Sequence, residues 1–195
     1  MIDEVFKMKV LTINGSPRKE GNTSRLLRLF TEEHAGLDLR WYDLVDMKIK
    51  DCVACLHCKT HDSCSIKDDM TKLYKDLKEC DALVIGSPIY MGAETGIMKC
   101  MIDRMYALLA PVEGPKRYAP RLPQRKKALV LLTCGNPQPE ATLGHQRDRF
   151  YSVMAMQGFS EVKVILVGGA MMNADIREKA EIPALVNEAR SFLRD

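Results

Sequence analysis

The apolar positions of the chain fall in short runs separated by polar, turn-forming stretches, and the runs follow two different periods. Met8 to Ile13, Ala82 to Ile85, Ala128 to Leu132 and Val162 to Val167 are continuous enough to predict buried strands. Leu37, Leu39 and Trp41 alternate with Asp38, Arg40 and Tyr42, the pattern of a strand at a sheet edge. Between these runs the spacing lengthens to that of helices. Asn22-Thr23-Ser24 offers N-cap chemistry to a helix with Leu26, Leu27 and Phe30 on one face. Met70 to Glu79 turns Leu73 and Leu77 inward, with Asp68 and Asp69 at its start. Thr95 to Leu109 places Ile97, Met101, Met105 and Leu108 near one stripe, so that Met91, Met98, Met101 and Met105 read as core filler or as an adaptable subunit interface. A helix from about Glu140 to Met156 and a closing helix ending near Leu193, which Pro183 either opens or kinks, complete the series. Five strands alternating with helices predict an α/β, doubly wound, five-stranded parallel sheet. With the alternating second strand at an edge, the order is 2-1-3-4-5 and the switch point lies between strands 1 and 3.

Composition narrows the class without changing this picture. A chain of 195 residues supports one sizeable core, so 1–195 is expected to be a single domain. The net charge of +3 comes from nearly balanced acidic and basic residues, which gives a nucleic-acid role no support. No apolar run approaches a membrane span. The start, M-I-D-E-V-F-K, lacks a basic head followed by an apolar core, and a cytoplasmic location is the expectation. Ala110 to Lys127 holds four prolines and the cations Lys116, Arg117, Arg121, Arg125, Lys126 and Lys127. It reads first as a solvated loop and second as a docking patch for an acidic partner.

Two stretches carry chemistry. After the first strand, Asn14-Gly15-Ser16-Pro17-Arg18-Lys19-Glu20-Gly21 leads into the helix at Asn22. A strand that feeds a polar, glycine-containing loop into a helix N-terminus aims free N–H groups and the helix dipole at an anion. The Ser16, Thr23 and Ser24 hydroxyls, the Asn22 amide and the Arg18 guanidinium are the groups that can add to it. The G-K-[ST] ending of a nucleotide-hydrolysing loop is missing, as is G-x-G-x-x-G. FMN, a mononucleotide with a terminal phosphate, fits what is left; an ordinary polar turn before a capped helix is the alternative. A second loop, Gly86 to Gly92, follows the third strand at the same end of the sheet, where Tyr90 and Met91 can line a flat ligand or Tyr90 can be plain core.

The other stretch is Asp51 to Ile66, D-C-V-A-C-L-H-C-K-T-H-D-S-C-S-I, following the edge strand. It holds four of the seven cysteines, Cys52, Cys55, Cys58 and Cys64, spaced C-x2-C-x2-C-x5-C. Two-residue gaps bring three thiolates to one side of a tight loop and a fourth closes the set, which points to a [4Fe-4S] cluster. Zinc, thiol redox chemistry and inert cysteines stay open beside it, although the second C-x2-C or C/H pair usual for structural zinc is missing. His57 and His61 could substitute as ligands or be solvated loop histidines. Cys80, Cys100 and Cys134 stand apart and read as small buried hydrophobes, Cys134 within a third turn-rich loop, Thr133 to Pro137.

Taken together, I-N-G-S-P-R-K-E-G-N-T-S-R-L-L, the cysteine run ending in C-S-I-K-D-D-M, and G-S-P-I-Y-M-G-A-E-T-G-I-M-K-C-M-I-D-R resemble the NADPH-dependent FMN reductase-like branch of the flavodoxin-like proteins. Within that branch the chain looks like the iron-sulfur flavoproteins of archaea and anaerobic bacteria. The resemblance implies that Ser16, Arg18, Asn22, Thr23 and Ser24 hold the FMN phosphate. It also implies that Pro88, Ile89, Tyr90, Met91 and Gly92 line the ring, with Thr133, Gly135 and Asn136 near its other edge. A homodimer or homotetramer with FMN close to the subunit interface is expected on the same ground. The leading expectation is an oxidoreductase that passes electrons between a one-electron donor, ferredoxin or a similar acidic carrier, and an acceptor through FMN and the cluster. The alternatives are an NAD(P)H-dependent FMN or quinone reductase without a cluster, and a flavin and thiol redox-sensing interaction module.

Overall fold

The computed structural model describes residues 7–31, 36–114, 117–171 and 174–194. Eight strands form: β1 Met8–Asn14, β2 Leu37–Asp43, β3 Ala82–Tyr90, β4 Ala93–Glu94, β5 Leu109–Pro111, β6 Tyr118–Pro120, β7 Lys126–Thr133 and β8 Phe159–Val167. Six helices accompany them: α1 Asn22–Thr31, α2 His57–Thr60, α3 Met70–Glu79, α4 Gly96–Arg104, α5 Glu140–Met156 and α6 Ile182–Arg194. The main sheet runs β2-β1-β3-β7-β8 with every neighbour parallel. This is the expected order 2-1-3-4-5, because β4 only folds back on β3 as a hairpin and β5 and β6 form a separate antiparallel ribbon.

The period of two along the central strands sorts their side chains into two cores. Leu11, Ile13, Leu83, Ile85, Val130 and Leu132 face α3, α4 and α5, while Val10, Val84, Leu129 and Leu131 face α1 and α6. On α1 Leu26, Leu27 and Phe30 are fully buried, and each such side chain is worth about 1.5–3 kcal/mol of transfer free energy. Met98, Met101 and Met105 are buried too, which makes the methionine stripe core filler. Met91, by contrast, is wholly exposed. Pro183 opens α6 rather than kinking it, at a first-turn position where a missing N–H breaks no helical bond.

Four local expectations change. β3 continues through Gly86 to Tyr90, pairing Gly86, Ser87 and Pro88 with Leu131, Leu132 and Thr133 of β7. Proline is tolerated there because β1 ends opposite Gly86, so no ladder partner on that side needs a donor from residue 88. The fourth helix ends at Arg104 and tightens into a 3₁₀ turn, Met105–Leu108. The basic connection is no solvated spacer: it contains the β5–β6 ribbon, and Lys126 and Lys127 are buried in β7. The Lys126 ammonium donates to the carbonyls of Lys78 and Cys80, and that of Lys127 to Phe192. Arg117 and Arg125 are exposed, and Lys116 lies outside the described residues. The short helix α2 inside the cysteine stretch had no signal in the apolar pattern.

Candidate functional site

The loop between β1 and α1 is organised by a residue that the sequence did not single out. Asn14, fully buried at the end of β1, donates from Nδ2 to Ser24 Oγ at 2.8 Å and to Asp43 Oδ1 at 2.7 Å, and its Oδ1 accepts the Ser16 N–H at 3.0 Å. The Ser16 and Ser24 hydroxyls donate to the Arg18 carbonyl at 3.1 and 2.8 Å. Both hydroxyls therefore shape the loop. Gly15 seats it on its neighbours: its N–H donates to Gly86 O at 2.7 Å and its carbonyl accepts the Thr95 hydroxyl at 2.7 Å. The expected contribution of the Asn22 side chain is corrected. Its Nδ2 donates to Met171 O and Ala174 O, both at 2.9 Å, and its Oδ1 accepts the Ile176 N–H, so the amide is spent tying down the chain after β8. What remains for an anion are the first-turn N–H groups of Asn22 and Thr23, which have no backbone acceptor among the described residues, and exposed Arg18.

These groups open into a cleft of about 330 Å³ at the carboxyl ends of β1, β3 and β7. Of the thirteen flavin-site residues expected, nine line it: Ser16, Arg18, Asn22 and Thr23 from the first loop, Pro88, Ile89 and Tyr90 from β3, and Thr133 and Gly135 after β7. Cys134 and Ala170 join them. Thr23 Oγ1 and Thr133 Oγ1 lie 2.6 Å apart and join two of the walls. Ser24, Met91, Gly92 and Asn136 do not line the cleft. Ser24 is buried behind the loop; Met91 and Gly92, at φ of 51° and 83°, form the turn of the β3–β4 hairpin; and Asn136 bonds to Thr142 Oγ1 and Gln138 N before α5. The hairpin is braced from α5, where Gln146 Nε2 donates to Gly92 O at 2.7 Å and Arg149 pairs with buried Glu94. Tyr90 is half exposed at the cleft and is not core. Free N–H groups and a guanidinium at one end, with an apolar wall of Pro88, Ile89 and Tyr90, fit a phosphate-bearing planar ligand of FMN's size.

The cysteine stretch leaves the sheet beside this cleft. Both of its ends are pinned by Arg104, whose side chain is completely buried at the end of α4. Nη1 donates to Lys50 O at 2.8 Å and Asp68 Oδ2 at 2.7 Å, and Nη2 to Asp68 Oδ1 at 3.1 Å and Ile66 O at 3.3 Å. Burial alone would raise the Asp68 carboxyl, but Arg104 and the N–H groups of Lys50 and Met70 hold it below its usual value. Sequence reasoning missed Arg104, although a charged residue on the Met98–Met101–Met105 stripe was a signal for it.

Within the stretch Cys52 and Cys55 are exposed, Cys64 is half-buried, and Cys58 is buried in α2; all four are free thiols. Ala54 and Leu56, at φ of 51° and 58°, place left-handed residues on both sides of Cys55, a conformation that costs non-glycine residues about 1–3 kcal/mol. A hydrogen bond with Ser65 Oγ at 3.3 Å and the His57 backbone N–H lower the Cys55 thiol below its ordinary value. His57 and His61 stack on each other at 3.8 Å. Among the described residues no three cysteine, histidine or acidic side chains stand together as a ready metal site. The fit to a cluster therefore rests on the donor set, four soft thiols on one segment held at both ends. Of the other cysteines, Cys80 and Cys134 are buried as expected. Cys100 is not: it is half-buried and donates to Asp51 Oδ1 at 2.7 Å, and burial and that carboxylate push its thiol up to about 11. No helix among the described residues is long and apolar enough to cross a membrane.

A model of the NADPH-dependent FMN reductase family matches residues 8–170. An iron-sulfur flavoprotein of Methanocaldococcus jannaschii is 38% identical over 99 residues, 50% of this chain and 51% of the relative. An iron-sulfur flavoprotein of Archaeoglobus fulgidus is 27% identical over 184 residues, 93% of this chain and 80% of the relative. The match thus spans about half the length of the first relative and four-fifths of the second. The crystal structure of an FMN-dependent NADH-azoreductase from Bacillus anthracis in complex with FMN aligns with a TM-score of 0.73, covering 96% of this chain and 100% of that one at 14% identity. That likeness shows the fold.

Proposed function

The chain belongs to the NADPH-dependent FMN reductase family, and from that membership we propose that it is an electron-transfer flavoprotein with FMN in the cleft and a [4Fe-4S] cluster on Cys52, Cys55, Cys58 and Cys64. The observation that carries this reading is a placement. The loops after β1, β3 and β7 meet in one cleft at the switch point, and the four-thiol stretch follows β2, the strand beside β1.

The N–H groups of Asn22 and Thr23 and the Arg18 guanidinium bind the phosphate. Pro88, Ile89 and Tyr90 set the plane of the ring, while the linked Thr23 and Thr133 hydroxyls fix the distance between the first and third loops. When bound, FMN exchanges electrons singly or in pairs and the cluster one at a time, which suits a one-electron donor and a two-electron acceptor. The four cysteines supply thiolates, and the chain's task is to hold both groups in place without an acid-base dyad. The donor is an acidic one-electron carrier of the ferredoxin class, and the chain works as a homodimer or homotetramer.

A second reading, an NAD(P)H-dependent FMN or quinone reductase, is favoured by the family's description. Anaerobic mixing of the FMN-loaded protein with reduced ferredoxin or with NADPH separates the two. Rapid bleaching of the flavin by ferredoxin and slow bleaching by NADPH is expected. The reverse result would establish the second reading.

A further inference from the structure

The cysteine stretch is held by three cations that take no part in the flavin cleft. Arg104 grips its two ends through the Lys50 and Ile66 carbonyls. Arg121, which follows β6, grips its middle: Nη2 donates to Cys58 O at 3.0 Å, and Nη1 to His61 O at 3.0 Å and Asp62 Oδ1 at 2.7 Å. Lys59, next to Cys58, sends its ammonium under the β5–β6 ribbon, 2.7 Å from Tyr106 O and Leu109 O and 3.4 Å from the centre of the Tyr106 ring. The ribbon that reads in the sequence as a solvated spacer is in this way a strap across α2, which carries Cys58.

Two features of this arrangement are not explained by fastening alone. The first is a charge imbalance. Arg104 has the buried Asp68, but among the described residues Arg121, whose side chain is 13% exposed, is paired with Asp62 alone, which stands almost fully in water at 98%, and Lys59 meets carbonyls and the Tyr106 ring rather than a carboxylate. The second is spare donor capacity. The Nε–H groups of both Arg104 and Arg121 are buried without a hydrogen-bond partner among the described residues. Buried N–H groups are ordinarily satisfied, and positive charge that is largely withdrawn from water without a buried counter-ion favours an anion beside it.

We propose that Arg104 and Arg121 are positioning residues that form a cationic clasp on the cysteine stretch, fixing the backbone that presents the four thiolates and offsetting the negative charge of the group they bind. The proposal rests on the cluster reading above. It adds that the chain tunes the cluster: the Arg121 guanidinium, whose counter-ion stands in water, favours its more negative, reduced form and so raises its potential, because charge and hydrogen bonding around the sulfurs set that potential.

The test uses the full chain purified anaerobically with both cofactors. Arg121→Gln is the informative variant, because Arg121 lies near the surface and outside both sheet cores; Arg104→Gln is made in parallel, and if it does not fold Arg121→Gln decides. FMN per chain, the rate of iron release to a chelator, and the cluster midpoint potential by dye-mediated titration followed by paramagnetic resonance are measured. Arg121→Gln is expected to keep its FMN, to release iron roughly tenfold faster or more, and to have a more negative midpoint potential. Arg121→Lys should recover the potential but not the iron retention, since an ammonium restores the charge and not the two-carbonyl fork. Iron release and potential equal to wild type in Arg121→Gln would overturn the clasp alone. A wild-type chain that binds no iron would overturn the cluster reading beneath it.

Discussion

Arg18, in the loop after β1, and Asn22, the first residue of α1, are four residues apart and do opposite work. Arg18 is exposed and lines the cleft, whereas the Asn22 side chain is consumed by the carbonyls of Met171 and Ala174 and the N–H of Ile176. Arg18→Ala should therefore weaken FMN binding by the worth of one charge-assisted contact, about 1.5–3 kcal/mol, read as a rise in the dissociation constant by flavin fluorescence titration. Unchanged affinity would place the phosphate elsewhere. Asp68 gives a prediction for stability. It is the only buried anion that faces Arg104 among the described residues, so Asp68→Asn leaves a buried guanidinium uncompensated and should cost about 3–5 kcal/mol in denaturant unfolding. Because the folded carboxyl titrates below its unfolded value, its contribution is complete above about pH 3.9 and lost as the pH falls through the folded pKa. The variant should accordingly lack part of the wild-type acid destabilisation, and an identical acid limb would show that the pair does not contribute. At this scale the sequence displayed residue types but not their partners. The Ser16 and Ser24 hydroxyls were candidates for the phosphate by type, and only the fold shows that they are spent on the Arg18 carbonyl.

Elements with one dominant period were legible. The alternation at Leu37, Leu39 and Trp41 marked β2 as the edge, and α3 matches the expected Met70 to Glu79. Elements whose pairing comes from distant chain were not. The glycine and proline of Gly86-Ser87-Pro88 signal a turn locally, yet β7 keeps them in the sheet through long-range register. Lys126 and Lys127 look like loop cations, but carbonyls at the ends of α3 and α6 accept their ammonium groups and let the strand begin two residues earlier. The packing of the loops makes a paired prediction. A Cβ at Gly15 would lie 2.5 Å from Met98 Cε and 3.1 Å from the Gly86 carbonyl, whereas one at Gly92 would meet nothing within 4 Å. Gly15→Ala should cost about 1–3 kcal/mol from overpacking and weaken flavin binding by shifting the loop. Gly92→Ala should cost only the left-handed strain of the turn, about 1 kcal/mol. Denaturation midpoints of the two variants check this, and a larger loss at Gly92 would contradict it.

For the whole molecule, the order β2-β1-β3-β7-β8 brings chemistry together from stretches far apart in the chain. The order was legible because one edge strand and a set of apolar central runs leave few ways to wind a parallel sheet. The strap of β5 and β6 over α2 was not, because two three-residue strands, Leu-Ala-Pro and Tyr-Ala-Pro, are too short to show a period. The central claim is that flavin and cluster occupy separate sites on adjoining loops. It is tested most directly by measuring iron, acid-labile sulfide and FMN per chain in anaerobically purified wild type and Cys58→Ser, where a hydroxyl replaces a soft ligand at the buried middle cysteine. Wild type should contain iron and sulfide in equal amounts together with FMN, and the variant should lose iron and sulfide while keeping its FMN. Unchanged iron in the variant would remove the cysteines from the metal site, and loss of FMN along with the iron would show that the two sites are one.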